Sequence, residues 1–147
     1  MGRLWRGEGS VIDELIERLE SGDGLDRDLD SSIWLFTTPG ATRSVRQVDH
    51  PDQPYMLDDT RDADGRLANA PAFTESLDEV VRWIQRELPG WGHGHATGWD
   101  AAGNCGGFVS PGGTIDLTKA VIGQASSPAR ALSAAALRAY KEHCSAR

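Results

Sequence analysis

Two cysteines, Cys105 and Cys144, are too few for a disulfide framework, and a reducing cytoplasm is the compartment expected. No apolar run approaches the ~20 residues of a membrane span. The opening residues 1–7 lack the apolar core of a signal peptide, and Arg6 stands where a myristoylation signal needs Ser or Thr. There is no Walker lysine and no G-x-G-x-x-G ahead of a helix, so Gly106-Gly107 and Gly112-Gly113 read as turns and close packing. Asp58 to Gly65 has the aspartates of a calcium loop but the wrong frame. With Gly65 in its glycine place, the loop would start at Thr60 and end at Pro71, where an acid and a glutamate are required. No internal repeat or low-complexity tract is present. Hydrophobic residues make up only 39% of the 147, which still suffices for one compact domain.

Acid is present in excess, and unevenly. The net charge is −7, and residues 8–30 hold nine acids against Arg18 and Arg27. That balance argues against nonspecific nucleic-acid binding. The stretch reads as a solvated helical face or as a docking patch for a basic partner, and its density is modest for a DNA mimic. Five tryptophans are many for the length and costly to leave exposed.

Helical spacing recurs four times. Over about residues 10–21, Ser10 is a candidate cap, and Val11, Ile12, Leu15, Ile16 and Leu19 form one face that Ser21-Gly22-Asp23-Gly24 ends. A second helix over about 26–36 follows from Leu25, Leu29, Ile33 and Phe36. A third over about 76–88 opens on the capping box Ser76 to Glu79, carries Leu77, Val80, Val81, Ile84 and Leu88, and stops at Pro89-Gly90. The last, over about 127–144, starts with Ser127-Pro128 and has a stripe of Ala131, Leu132, Ala135, Ala136, Ala139 and His143. A stripe this small lets a helix backbone lie very close to its partner. Strands are predicted over about 91–97, 104–109 and 115–124. Pairing Thr97 with Asn104 puts Gly92, Gly94, Ala96, Cys105, Gly107 and Val109 on one nearly bare face, suited to that helix. Trp91, His93, His95 and Phe108 then take the other face, and a slip of one residue would scramble the assignment. Residues 39–72, with four prolines and many aspartates, show no period and read as a long irregular segment, with short extended pieces at 45–49 and 55–57. The fold class expected is α+β in a single domain, a small antiparallel sheet of about three strands sandwiched between α-helices.

In order and combination these pieces resemble the phage ABA sandwich domain, a family of small phage and prophage proteins. The residues that carry the likeness are Asp13-Glu14-Leu15-Ile16-Glu17-Arg18-Leu19-Glu20, Leu25-Asp26-Arg27-Asp28-Leu29-Asp30, Phe73-Thr74-Glu75-Ser76-Leu77-Asp78-Glu79, Pro89-Gly90-Trp91, and Ser127-Pro128-Ala129-Arg130-Ala131-Leu132 with Ala134-Ala135-Ala136-Leu137-Arg138-Ala139. The resemblance implies an antiparallel sheet between helical layers and a phage or prophage origin. It brings no catalytic residues. The segment 39–72 and the His93/His95 strand depart from it.

Candidate chemistry is sparse. His93 and His95, two apart on a strand, point to one side, as in metal sites, but a third and fourth ligand are not evident. They read otherwise as a polar rim, or as part of a ligand pocket with Trp91 and Trp99. Arg43, Arg46, Arg61, Arg66, Arg82 and Arg86 fall in the irregular segment and on the helix after it. Converging with those rings, they would hold a small anionic, nucleotide-like ligand, since guanidinium groups clamp phosphates and indoles stack on bases. The alternative is pairing with the intermixed aspartates. No nucleophile stands out, Cys105 being on the bare face. The expectation is a protein of the host cytoplasm that acts by binding, without cofactor, catalytic residue, nucleic acid or membrane. It would sequester a nucleotide-like signal in counter-defence, or inhibit a host protein through its acidic N-terminal helices. A histidine-based metal hydrolase is a further alternative, and a homo-oligomer fits the alanine stripe and the surplus tryptophans.

Overall fold

The computed structural model describes residues 2–145, with side chains described for residues 11–143. The chain is α+β, and its described residues form four helices and two small antiparallel sheets. Helix α1 (Gly2–Ser21) and α2 (Arg27–Thr37) come first, followed by a two-stranded ribbon of β1 (Thr42–Val48) and β2 (Tyr55–Arg61). Helix α3 (Leu77–Glu87) leads to β3 (Gly92–Ala96), β4 (Cys105–Ser110) and β5 (Val121–Ala125), and α4 (Pro128–Ser145) closes the order. The larger sheet runs β3-β4-β5. Among the described residues, no helix is long and apolar enough to cross a membrane.

Local signals set most of the helix ends. Asp26 caps α2 by accepting from the Leu29 amide at 3.0 Å, Ser76 caps α3 by accepting from that of Glu79 at 3.3 Å, and Ser127 accepts from that of Arg130 at 3.3 Å ahead of α4. The start expected near Ser10 is corrected: α1 begins at Gly2 and runs straight through, with no proline to stop it. The side chains of Ser10 and Cys144 lie outside those described.

Helix α4 is the centre of the packing. It lies across β4 and β5, touches β3 at its margin, and carries α1 and α3 on its other sides. The contact depends on missing side chains. A Cβ at Gly107 would fall inside contact distance of the Leu132 amide and the Ala131 carbonyl carbon, and one at Gly123 would meet the Ala131 carbonyl oxygen and the Ala135 amide. Ala131, Ala134 and Ala135 are fully buried there. A close glycine–alanine seat was expected, but its makeup is corrected. The register pairs Gly92 with Ser110, Gly94 with Phe108 and Ala96 with Gly106, one residue away from the expected one. Gly92, Gly94 and Ala96 therefore share the far face with Phe108, while His93 and His95 lie on the α4 face across from Val109 and Gly107. The slip comes from the connection. Asp100 accepts from the amides of Ala102 and Asn104 and from the Asn104 side chain, and Trp99 donates to the Asn104 carbonyl. Asn104 is thus a turn residue, where a strand residue was expected.

Two further expectations are corrected. Residues 115–120 are turn, held by Asp116, whose carboxylate accepts from the Thr118 amide (3.0 Å) and hydroxyl (2.6 Å), so β5 starts only at Val121. Residues 39–72 contain the β1–β2 ribbon, in register from Thr42 opposite Arg61 to Val48 opposite Tyr55. A ribbon wet on both faces has no reason to alternate apolar with polar residues, so its sequence shows no strand period. The aspartates that suggested a calcium loop shape the turn after it. Asp62 accepts from the amides of Asp64 and Arg66.

Two polar devices close the remaining gaps. Arg130, 1% exposed, lies under the end of α1. It donates to the carbonyls of Arg18 (3.0 Å) and Leu19 (3.2 Å) in the last turn of α1 and of Asp23 (3.3 Å) and Gly24 (2.8 Å) in the loop after it, so backbone carbonyls rather than a carboxylate hold its charge. At the outer edge of β5, the Glu20 carboxylate accepts from the Gln124 amide at 3.0 Å, and Arg138 donates to the Ile122 carbonyl at 2.9 Å and to Glu20 at 2.5 Å. The ion pair occupies the place of a fourth strand.

Gly107→Ala or Gly123→Ala is expected to cost about 3 kcal/mol, because the helix backbone itself must move, whereas Gly113→Ala, with nothing near its Cβ, should stay within about 0.5 kcal/mol. Arg130→Met should lose about 3 kcal/mol or more by leaving buried carbonyls without donors. Urea midpoints of the four variants test both statements.

Candidate functional site

The ten residues singled out in the sequence do not meet. Arg43 leaves β1 toward the body of the protein. It donates from Nε and Nη2 to Asp58 at 3.0 and 2.8 Å and pairs through Nη1 with Asp28 at 2.9 Å, which fastens the ribbon to α2. Arg46 is exposed on β1, opposite Leu57. Arg61 donates to the Gly65 carbonyl at 2.8 Å, and Arg66 lies exposed in the same turn. On α3, Arg82 is exposed and Arg86 pairs with Glu87 at 3.1 Å. Trp91 packs edge-on against His143, ring centres 6.3 Å apart. Trp99 lies on the opposite face of the sheet, over Gly106 and beside Phe108. Of the ten, His93 and His95 share the α4 face of β3, and Arg46 and Arg61 share one face of the β1–β2 ribbon. Among the described residues, no three metal-donor side chains converge.

Of the six arginines only Arg43 is held by aspartates among the described residues, and the other aspartates of this region hold Arg18 and Arg27. Asp28 takes both Arg43 and Arg18 (3.1 Å), Asp26 lies 3.6 Å from Arg18, and buried Asp30 pairs with Arg27 at 2.9 Å while accepting from the Thr74 amide. Cys105 is buried in the α4 seat, as expected.

Two hollows carry carboxylates. A groove of about 420 Å³ between α1 and α4 is lined by Asp13, Ile16, Glu17, Glu20, Ser21 and Arg138. Asp13, Glu17 and Glu20 recur at one face of α1. Asp13 meets Lys141 at 2.8 Å and Glu20 meets Arg138, while Glu14 and Glu17 are exposed and have no ion-pair partner among the described residues. A second hollow of about 330 Å³ lies between β2 and residues 67–69, with Asp58, Asp59 and Thr60 on its wall. Sequence reasoning placed the acids correctly on α1 but missed the groove, because Arg138 and Lys141 reach it from the other end of the chain.

Protonation follows these contacts. Burial pushes the Glu20 carboxyl up, but hydrogen bonds from Arg138 and the Gln124 amide and the Arg138 charge outweigh it and hold it below its usual range. Hydrogen bonds from Arg43 lower Asp58, and those from Arg43 and Arg18 lower Asp28. Burial raises Asp30 despite its partners. A lowered carboxylate binds protons less tightly folded than unfolded, so its stabilisation is lost as pH falls through its folded value. For Asp30 the sign is opposite, and stability is gained as pH falls below its raised value. The Arg43→Gln variant should therefore lose stability less steeply than the wild type between about pH 5 and about pH 2, as read from urea midpoints against pH.

Compared with known protein families, curated proteins and solved structures, the chain matches none.

Proposed function

We propose that the protein acts by binding another protein, docking a basic segment of its partner in the acidic groove between α1 and α4. The observation that carries this reading is the lining of that groove, with Asp13, Glu17 and Glu20 on one helix face around a floor that includes Ile16, and with Glu17 and the exposed Glu14 lacking an ion-pair partner among the described residues. An apolar floor with an acidic rim suits lysine or arginine side chains, whose stems are apolar and whose heads are cationic. A role as a phage or prophage accessory protein in the host cytoplasm, inhibiting a host protein, extends the reading and rests on the family resemblance of the sequence. Sequestration of a nucleotide-like signal has less support, because the arginines proposed to clamp it are spread over β1, a turn and α3, and both hollows present carboxylates.

A short fluorescein-labelled lysine-rich peptide tests the groove. Its binding should weaken with added salt and fall by about tenfold or more in the Glu14→Lys/Glu17→Lys double variant, with the melting temperature little changed. Asp28 is unsuitable for such a reversal because it anchors Arg43 and Arg18. Peptide binding indifferent to both salt and the double variant removes the docking reading. A nucleotide that raises the melting temperature of the wild type, but not of Arg82→Ala or Arg86→Ala, restores the ligand reading in its place.

A further inference from the structure

The three-stranded sheet has one closed edge and one open edge. At β5, Ile122 and Gln124 face outward to Arg138 and Glu20. By alternation, Val121, Gly123 and Ala125 spend their backbone groups on Val109, Gly107 and Cys105. Gly106, Phe108 and Ser110 then bond Ala96, Gly94 and Gly92 of β3, and the N–H and C=O groups of His93 and His95 point away from the sheet. Among the described residues nothing pairs with them. An edge strand is normally blunted by a lysine, a proline or a bulge. The run Trp91-Gly92-His93-Gly94-His95-Ala96-Thr97-Gly98-Trp99 has no proline and no residue that is formally charged at neutral pH, in a chain whose net charge is −7. It is a neutral edge on an otherwise self-repelling molecule, suited to a second copy of itself.

The side chains favour the same partner. His93 and His95 lie on the α4 face of β3, His93 half-buried and His95 exposed, at the margin of the cover that α4 provides. Two imidazoles from one strand cannot close a metal site, and the described residues of one chain offer no third donor nearby. An antiparallel pairing of two β3 strands about a twofold axis at Gly94 places each His93 opposite His95 of the other copy. Residues so paired have Cα atoms about 5.5 Å apart, and neighbours two along a strand lie about 6.6 Å apart. Four imidazoles then stand on one face at the corners of a small rectangle, where three or four can reach one ion with zinc–nitrogen bonds of about 2.0 Å. Gly94 meets its own copy at the axis without a side chain. We infer that β3 is a self-pairing edge, and that two copies joined through it bind one divalent transition-metal ion of the zinc class between their His93 and His95 side chains. The site is incomplete in either copy alone, and imidazole donors suit zinc, nickel or copper better than calcium or magnesium.

The test uses the full chain stripped with EDTA and titrated with zinc, followed by sedimentation velocity and metal analysis. The expected result is conversion of monomer to dimer, with one zinc per two chains, reversed by EDTA. Cobalt in place of zinc should give the intense visible bands of a tetrahedral nitrogen site. His95→Ala should remain monomeric at zinc levels that dimerise the wild type and bind zinc more than about tenfold more weakly. If that variant loses its native circular dichroism, His95→Gln, closer in size and polarity, carries the comparison. A wild type that stays monomeric with zinc overturns the inference. So does one zinc bound per monomer, or a dimer indifferent to both EDTA and the loss of His95.

Discussion

A helix backbone pressed directly onto bare strands is the constraint on which the other contacts depend. Gly107 and Gly123 remove the spacing that side chains normally impose between helix and sheet, and Ala131, Ala134 and Ala135 do the same from above. Because α4 sits so low, its other sides become the platform on which α1 and α3 assemble, and the apolar core forms around it. Trp83 meets Phe73 edge-on at 5.8 Å and Tyr140 at 5.7 Å on one flank, while Ile12, Leu15, Ile16 and Leu19 are buried on the other. The alanine-rich helix contributes little apolar area of its own, so stability comes from close fit over many small contacts. Arg130 belongs to the same economy of space. A guanidinium fits under the end of α1 because its partners are backbone carbonyls, which need no side-chain volume.

Charge is distributed with a similar division of labour. Much of the acid of the N-terminal third is tied into the fold: Asp28 to Arg43 and Arg18, Asp30 to Arg27 and Thr74, and Glu20 to Arg138 and the sheet edge. What remains over, chiefly Glu14 and Glu17, faces solvent. An acidic stretch can therefore be both structural and available, and its net charge alone does not tell the two apart. The arginines of the ribbon show the same thing from the other side, since Arg43 is anchored by two carboxylates where sequence reading gave it to a ligand.

Helices were legible in the sequence wherever a cap or a breaker adjoined a strong period, as at Ser76, Pro89-Gly90 and Ser127-Pro128. The α+β class followed from them. Ser10 misled because a good capping residue also occurs inside helices, and nothing before it forbids helix. The register of β3 and β4 was lost by one residue because glycines carry no pattern: Gly92, Gly94, Gly106 and Gly107 read the same in either alignment, and the deciding information lay in the hydrogen bonds of the Asp100 turn. That slip moved both histidines to the wrong face. Of the ribbon only the short extended pieces at 45–49 and 55–57 were read, and their extent and pairing were missed because neither face is covered enough to sort its residues. As for the candidate site, the acids of α1 were visible, but the cations facing them come from residues far along the chain, and no local pattern links the two.

The edge of β5 is shut by an ion pair and not by polypeptide, and this makes the solubility of the sheet a chemical variable. A helix or loop laid over an edge protects it at any pH or ionic strength. A carboxylate does so only while it is ionised, and Glu20 is held ionised largely by Arg138, the group that covers the neighbouring carbonyl. Acid strong enough to protonate Glu20 weakens both halves of the cover together and returns a donor and an acceptor, correctly spaced for another strand, to the surface. The cover of the β5 edge thus lasts only as long as Glu20 stays ionised, which Arg138 and the Gln124 amide favour.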